Sequence, residues 1–244
     1  MSAHAEPAFR PLYLQIRDAL EARLANGEWK PGEPIPAELA LAARFKVSHG
    51  TVRKAVDSLA KDNLVVRRQG KGTFVATHTE ERASHFRFLR IRRDDGVDEY
   101  PASRIVDLRR VRASAEVARA LRIKTGDGVF QLRRILRYDG APTVLDEIAL
   151  PASLFRGLSR ARIDAYHGSV YSFFETQFGV RMLKAREELR AVTADAESAA
   201  LLEVPRGTPL LAVDRIAYTY GERPVEFRRG LCTTRRHHYL NEIT

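Results

Sequence analysis

The sequence predicts an α+β chain in two parts, a helical head with a two-stranded β wing followed by a mixed α/β domain around an antiparallel sheet. Three observations carry this. Behind Ser48, the apolar residues Val52, Ala55, Val56 and Leu59 recur at helical spacing. Two short β-prone runs, Leu64 to Arg67 and Thr73 to Val75, flank the basic, glycine-rich tip Arg68-Gln69-Gly70-Lys71-Gly72. After residue 85 the helical period gives way to alternation, with paired strands predicted over 129–150 and 210–231.

In the head, Tyr13, Ile16, Leu20 and Leu24 make one amphipathic helix that ends at Asn26-Gly27, where glycine tolerates a left-handed backbone. Pro31, Pro34 and Pro36 keep the next stretch extended. A second helix over 37–45 is expected to turn Leu39, Ala42 and Phe45 inward. In the third, Ser48 caps the N-terminus, and Gly50, Arg53, Lys54 and Asp57 fall opposite the apolar stripe, with His49 and Thr51 flanking the first turn. Cations and small residues at the outward start of a helix suit a major groove, and a basic tip whose glycines admit close backbone approach suits phosphate or minor groove. The expected DNA-contacting set is Arg44, Ser48, His49, Gly50, Thr51, Arg53, Lys54, Arg68, Gln69, Gly70, Lys71 and Gly72. Such a head is a winged helix-turn-helix.

With 244 residues, 44% of them hydrophobic, the chain can bury two ordinary cores. A net charge of +10 favours a polyanionic partner. No apolar run spans a bilayer and Met1 to Arg10 lacks a signal core, so a cytoplasmic place is expected. The lone Cys232 cannot form an internal disulfide and is expected to be a buried small hydrophobe. His237 and His238 are adjacent, would point to opposite strand faces, and have no second cluster at metal spacing. No nucleophile, base and acid stand in recognisable order, so neither metal, cofactor nor enzymatic activity is expected.

Residues 9–76 are expected to form the head, 77–84 a polar linker and 85–244 the second domain. The latter opens with a strand over 86–92, stopped by Asp94-Asp95-Gly96, then a strand over 104–111 and a helix capped by Ser114. In the strand over 129–138, Phe130, Leu132, Leu136 and Tyr138 make an apolar face that Arg134 interrupts, and Gln131, Arg133 and Arg137 a wet one. A three-residue loop, Tyr138-Asp139-Gly140, would place Arg134 and Asp146 on one face of the hairpin. There they either neutralise each other or line a pocket in which arginine grips an anion. Ser169 starts a helix bearing Val170, Phe173, Phe174 and Phe178, and Gly179 stops it. A strand over 183–192, a helix over 194–202 and a second hairpin turning at Gly221 follow. The two hairpins share a tyrosine, a turn and a proline, which is hairpin grammar more than a repeat.

Trp29-Lys30-Pro31-Gly32, Pro36 to Ala40, Val47 to Arg53 and Gly70 to Val75 resemble the GntR family of bacterial transcription regulators. The family usually carries arginine where this chain has His49. Arg134 to Pro142, Leu145 to Pro151, Gly168 to Tyr171, Pro205 to Leu211 and Arg223 to Glu226 resemble the UTRA effector-binding domain of its HutC-like branch. The resemblance implies a chorismate-lyase-like fold, a homodimer on a palindromic operator in double-stranded DNA, and repression modulated by a small, anionic metabolite. It also implies that Arg134, Asp146, Ser169, Tyr171 and Glu226 face that effector. Leu136 and Cys232 stand where the domain often has arginine and tyrosine.

Overall fold

The computed structural model describes residues 10–78 and 90–242. They fall into two compact units that divide between Thr77 and His78. Most of the strand expected over 86–92, and of the expected linker, lies outside the described residues.

In the first unit α1 (Leu12–Ala25) buries Ile16, Leu20 and Leu24, and Gly27 takes the expected left-handed turn at φ 74°. The next helix, α2 (Glu38–Phe45), corrects the sequence reading. Its buried residues are Leu41 and Ala42, whereas Leu39 is 70% exposed and Phe45 half-buried. The expectation put Leu39 on the apolar face in place of Leu41, because two successive leucine-alanine pairs in a short helix leave its phase ambiguous. Lys46 ends α2 in the left-handed region and Ser48 starts α3 (His49–Lys61), whose Val52, Ala55, Val56 and Leu59 are fully buried. The wing is β1 (Val65–Arg68) against β2 (Gly72–Val75), with Arg68 opposite Gly72, and Pro34 bridges to Phe74.

The second unit centres on a six-stranded antiparallel sheet built from β4 (Ala102–Arg112), β5 (Gly128–Tyr138), β6 (Ala141–Pro151), β7 (Lys184–Thr193), β8 (Pro209–Thr219) and β9 (Arg223–Thr233). The spatial order is β4-β5-β6-β9-β8-β7. A short strand β3 (Ile91–Arg93) pairs separately with β10 (His237–Tyr239). Helices α4 (Ala115–Leu121) and α7 (Ala196–Leu202) bury Val129 and Ile135 on one sheet face, so that face is not the wet one the alternation suggested. The opposite face packs Leu132, Ile148 and Leu150 against Phe173 and Phe174 of α6 (Val170–Phe178), capped by Ser169. The one-turn helix α5 (Arg160–Asp164) had no strong sequence signal.

The two halves of the sheet repeat one unit of strand, capped helix, strand, hairpin and strand. Ser114, Arg122, Gly126 and Arg134 in the first correspond in order to Asp195, Glu203, Gly207 and Arg215 in the second. Ser114 and Asp195 both cap their helices, and Arg122 and Glu203 both end them in the left-handed region. Ala113 N–H donates to Asp127 O and Ala194 N–H to Thr208 O, each at 2.8 Å. The correspondence therefore extends well beyond the hairpins.

The first hairpin turns on two residues, Asp139 and Gly140, both at positive φ, and not on three. Alone, a two-residue loop would set Arg134 and Asp146 on opposite faces. A bulge at Thr143, where Leu136 pairs with Val144 but Arg137 with Pro142, restores the shared face and aligns Arg134 with Asp146. The second hairpin carries the same bulge at Val225, after Pro224. Phe174 is fully buried in the α6 core, so Phe174→Ala should cost about 3–5 kcal/mol, read as a lower urea midpoint for the second unit.

Candidate functional site

The outward side of α3 is shaped by its cap. Ser48 Oγ accepts from Thr51 N–H at 3.2 Å, which fixes the first turn and leaves Gly50, Arg53 and Lys54 exposed. His49 is half-buried, and its Nε2 lies 2.8 Å from Glu38 Oε2. Glu38, absent from the expected set, also meets Arg53 Nε at 3.4 Å and Arg67 Nη2 at 2.7 Å. Burial alone would raise the Glu38 carboxyl, but Arg53, Arg67 and His49 hold it below its ordinary value. One carboxylate thus fixes cations from α3 and the wing. Arg44 is tied to Glu28 at 2.6 Å. Arg68 stacks over Phe74, its guanidinium carbon 4.5 Å from the ring centroid. Gln69, Gly70 and Lys71 form the exposed tip, with Gly70 at φ 70° and Gly72 at φ 108°. A side chain at either position would strain the turn.

The second unit gathers charges on the α6 side of its sheet. Along one row Arg134, Asp146, Gly230 and Val213 are aligned across β5, β6, β9 and β8. Arg134 gives Nε and Nη2 to Asp146 Oδ2, both at 2.8 Å. Arg228 Nη1 reaches the same oxygen at 3.3 Å, and Nη2 donates to Glu226 Oε2 at 3.1 Å. Tyr171 hydroxyl donates to Glu226 Oε1 at 2.8 Å, while Arg215 Nε donates to Glu187 at 2.6 Å. Tyr239 hydroxyl bonds the same Glu187. Burial would raise the Asp146 carboxyl, but Arg228 and Arg134 outweigh it and hold Asp146 below the carboxylate range.

Four of the five expected effector residues, Arg134, Asp146, Tyr171 and Glu226, thus join one network. Ser169 stands apart: its Oγ accepts from Ser172 N–H at 3.0 Å as the α6 cap, and it makes no bond to the arginines among the described residues. The sequence reading missed Arg215 and Arg228. The repeat could have found them, since Arg215 corresponds to Arg134 and its cross-strand partner Arg228 to Asp146. A cavity of about 40 Å³ borders Asp146, Arg215, Arg228, Gly230 and Cys232. The larger groove of about 480 Å³ lies on the opposite face. Its Arg190, Asp214 and Arg229 already satisfy one another.

These two assemblies coincide with two family models. Residues 12–75 match the bacterial regulatory proteins of the gntR family, and 98–238 match the UTRA domain. The chain belongs to the GntR family and carries a UTRA domain. It is 26% identical over 239 residues to the transcriptional repressor NagR of Bacillus subtilis (strain 168), covering 96% of each chain. Among solved structures, the ligand-binding domain of a chain assigned to the GntR-family regulators of Bordetella bronchiseptica is 48% identical, with a TM-score of 0.63. That match covers 65% of this chain and 98% of the other. PhnF from Mycobacterium smegmatis matches at 26% identity and a TM-score of 0.55, covering 94% and 99%. This GntR-family chain is a DNA-binding transcription regulator with a small-molecule-binding domain. No described helix is long and apolar enough to cross a membrane.

Two outcomes follow for the UTRA network. Arg134→Ala leaves Asp146 short of a buried partner and should cost about 3 kcal/mol. Adding Asp146→Asn should recover part of the loss in a urea titration. Burial and the nearby Asp146 carboxylate push the Cys232 thiol up to about 12, so iodoacetamide at pH 8 should label it only after denaturation.

Proposed function

We propose that the chain is a homodimeric repressor that binds a palindromic operator in the cytoplasm and is released by a small metabolite. Residues 9–76 form the reading head, 77–84 the linker and 85–244 the effector-binding and dimerisation domain. The observation that carries the head's role is the exposed start of α3, where Arg53 and Lys54 stand outward and Arg53 shares Glu38 with Arg67 of the wing. Two such heads on a two-fold axis would set recognition helices in successive major grooves. Arg53, Lys54 and His49 would face base edges, Gly50 and Thr51 the groove wall, and Arg44, Arg68 and the 69–72 tip the phosphates. The cap Ser48 sets the register of that turn. NagR, a relative over the whole length, is named a repressor, which supports the sign of regulation.

In the second domain Arg134, Asp146, Tyr171 and Glu226 surround the effector, with Ser169 at the start of α6 nearby in sequence. Arg134 Nη1 has no partner among the described residues, and this group would take the effector's anion. The effector acts only if it binds the DNA-incompetent arrangement more tightly than the competent one.

Fragments of the source genome selected on the purified protein, with excess competitor DNA at physiological salt, should return a few palindromic sites. Random recovery would overturn the specific-regulator reading. On a recovered site, Arg53→Ala should cost about 1–3 kcal/mol and relax specificity at one position, whereas Lys71→Ala should weaken all sequences alike and lower the salt slope by about 1. Unchanged affinity in Arg53→Ala would remove its base contact.

A further inference from the structure

The six-stranded sheet ends at β4 on one side and β7 on the other, and an end strand offers a row of backbone N–H and C=O groups to whatever can pair with it. The two ends are not alike. β4 carries Arg104, Arg109, Arg110 and Arg112 against Asp107 alone, and its pairing with β5 is broken by a bulge between Ile105 and Asp107. Repulsion and the bulge both deter a second copy. β7 has neither proline nor glycine, and it pairs with β8 without a shift from Lys184 to Thr193. No strand lies on its outer side among the described residues.

The charges of β7 alternate in sign along one face. Arg186, Glu188 and Arg190 share the face that carries Asp214, with Arg190 Nη2 2.6 Å from Glu188 Oε2 and Arg190 Nη1 3.0 Å from Asp214 Oδ2. On the other face Glu187 is already held by Arg215, and Leu189 is 45% exposed. An unbroken edge strand with an exposed leucine in its middle is an aggregation hazard unless a specific partner takes it.

Symmetry restricts how a second copy could add there. A two-fold axis that joins two β7 strands into one antiparallel sheet must stand perpendicular to it, so that one residue of β7 lies opposite itself. Centring the axis on Arg186, Glu187, Glu188 or Arg190 sets a charge against its own copy, which is destabilising. Centring it on Leu189 sets leucine against leucine, Glu188 against the partner's Arg190 and Arg190 against the partner's Glu188. In that register the ladder runs from Ala185, opposite the partner's Thr193, to Thr193, opposite the partner's Ala185, and no like charges face each other.

We infer that β7 is the edge on which two copies of the chain join, with the axis at Leu189 and the two sheets continuous through the interface. Backbone hydrogen bonds and the Leu189 pair supply the affinity, and the Glu188 and Arg190 pairs, weak on an open surface, fix the register. The assignment rests on the homodimer reading above and adds which surface makes the dimer and why the arginine-rich β4 edge is left out of it.

Sedimentation velocity on the full chain tests this. The parent should run as a dimer at micromolar concentration. Glu188→Arg and Arg190→Glu, which set like charges opposite each other, should each fall to the mass of one chain while unfolding as cooperatively as the parent. Mixed in equal amounts they should return to dimers, because each arginine then faces a glutamate of the other variant. Should either variant fail to fold, Leu189→Cys should cross-link to its own copy under mild oxidation and Ala191→Cys should not, the native Cys232 being buried and out of reach. A parent that stays monomeric would sink the homodimer reading and this surface with it. A dimeric parent whose charge variants remain dimeric, whose mixed variants stay monomeric, or whose Leu189→Cys form fails to cross-link overturns the surface alone.

Discussion

Asp146 is a carboxylate on the central strand of a sheet, beneath a helix, with almost no access to water. Everything around it answers that constraint. A lone buried carboxylate would take up a proton; this one stays ionised because Arg134 from one half of the sheet and Arg228 from the other converge on its Oδ2. Importing Arg228 creates a second demand, since it pairs across strands with Arg215, another cation. Glu226 and Glu187 meet that demand, and Tyr171 of α6 joins the ring by donating to Glu226. The strands are therefore held by charges as much as by apolar contacts.

The repeat explains how such a network arises at this place. Two copies of one strand, helix and hairpin unit meet along β6 and β9, so equivalent inward positions lie side by side. The same backbone site carries Asp146 in one copy and Arg228 in the other. Duplicated geometry with opposite charges gives complementarity without new architecture. In the head, the same economy operates on a smaller scale: Glu38 gathers His49, Arg53 and Arg67 on one carboxylate and holds those side chains in place before any nucleic acid arrives.

Much of this was legible in the sequence, and the reasons differ by element. The α3 stripe was readable because four small or branched apolar residues fall at one period and Ser48 can only cap there. The pairing of Arg134 with Asp146 was readable because alternation interrupted by a charge marks an inward position. The phase of α2 was not, since Leu39, Ala40, Leu41 and Ala42 fit either face. Arg228 escaped because it sits beside Arg229 in β9, and Arg215 because it follows Asp214, which offers a local partner; only the equivalence of the two halves marks both as inward cations. Burial on both faces of β5 was hidden because α4 and α7, which cover its odd positions, come from different parts of the chain.

The bulges at Thr143 and Val225 set a constraint that side-chain identity does not express. If Thr143 joined the ladder instead of bulging, β5 and β6 would pair straight from their two-residue turn, and every residue of β6 beyond it would change face relative to Arg134. Asp146 would then look toward α4 and α7, and Leu145 would take its place among the arginines. Deleting Thr143 would instead remove the bulge and keep the register, with Leu136 still opposite Val144 and Arg134 still opposite Asp146, so the face depends on Thr143 staying out of the ladder. The unpaired residue is therefore as much a part of the site as its charged neighbours, and a related chain could lose the bulge and keep the same inward face only by losing one residue with it.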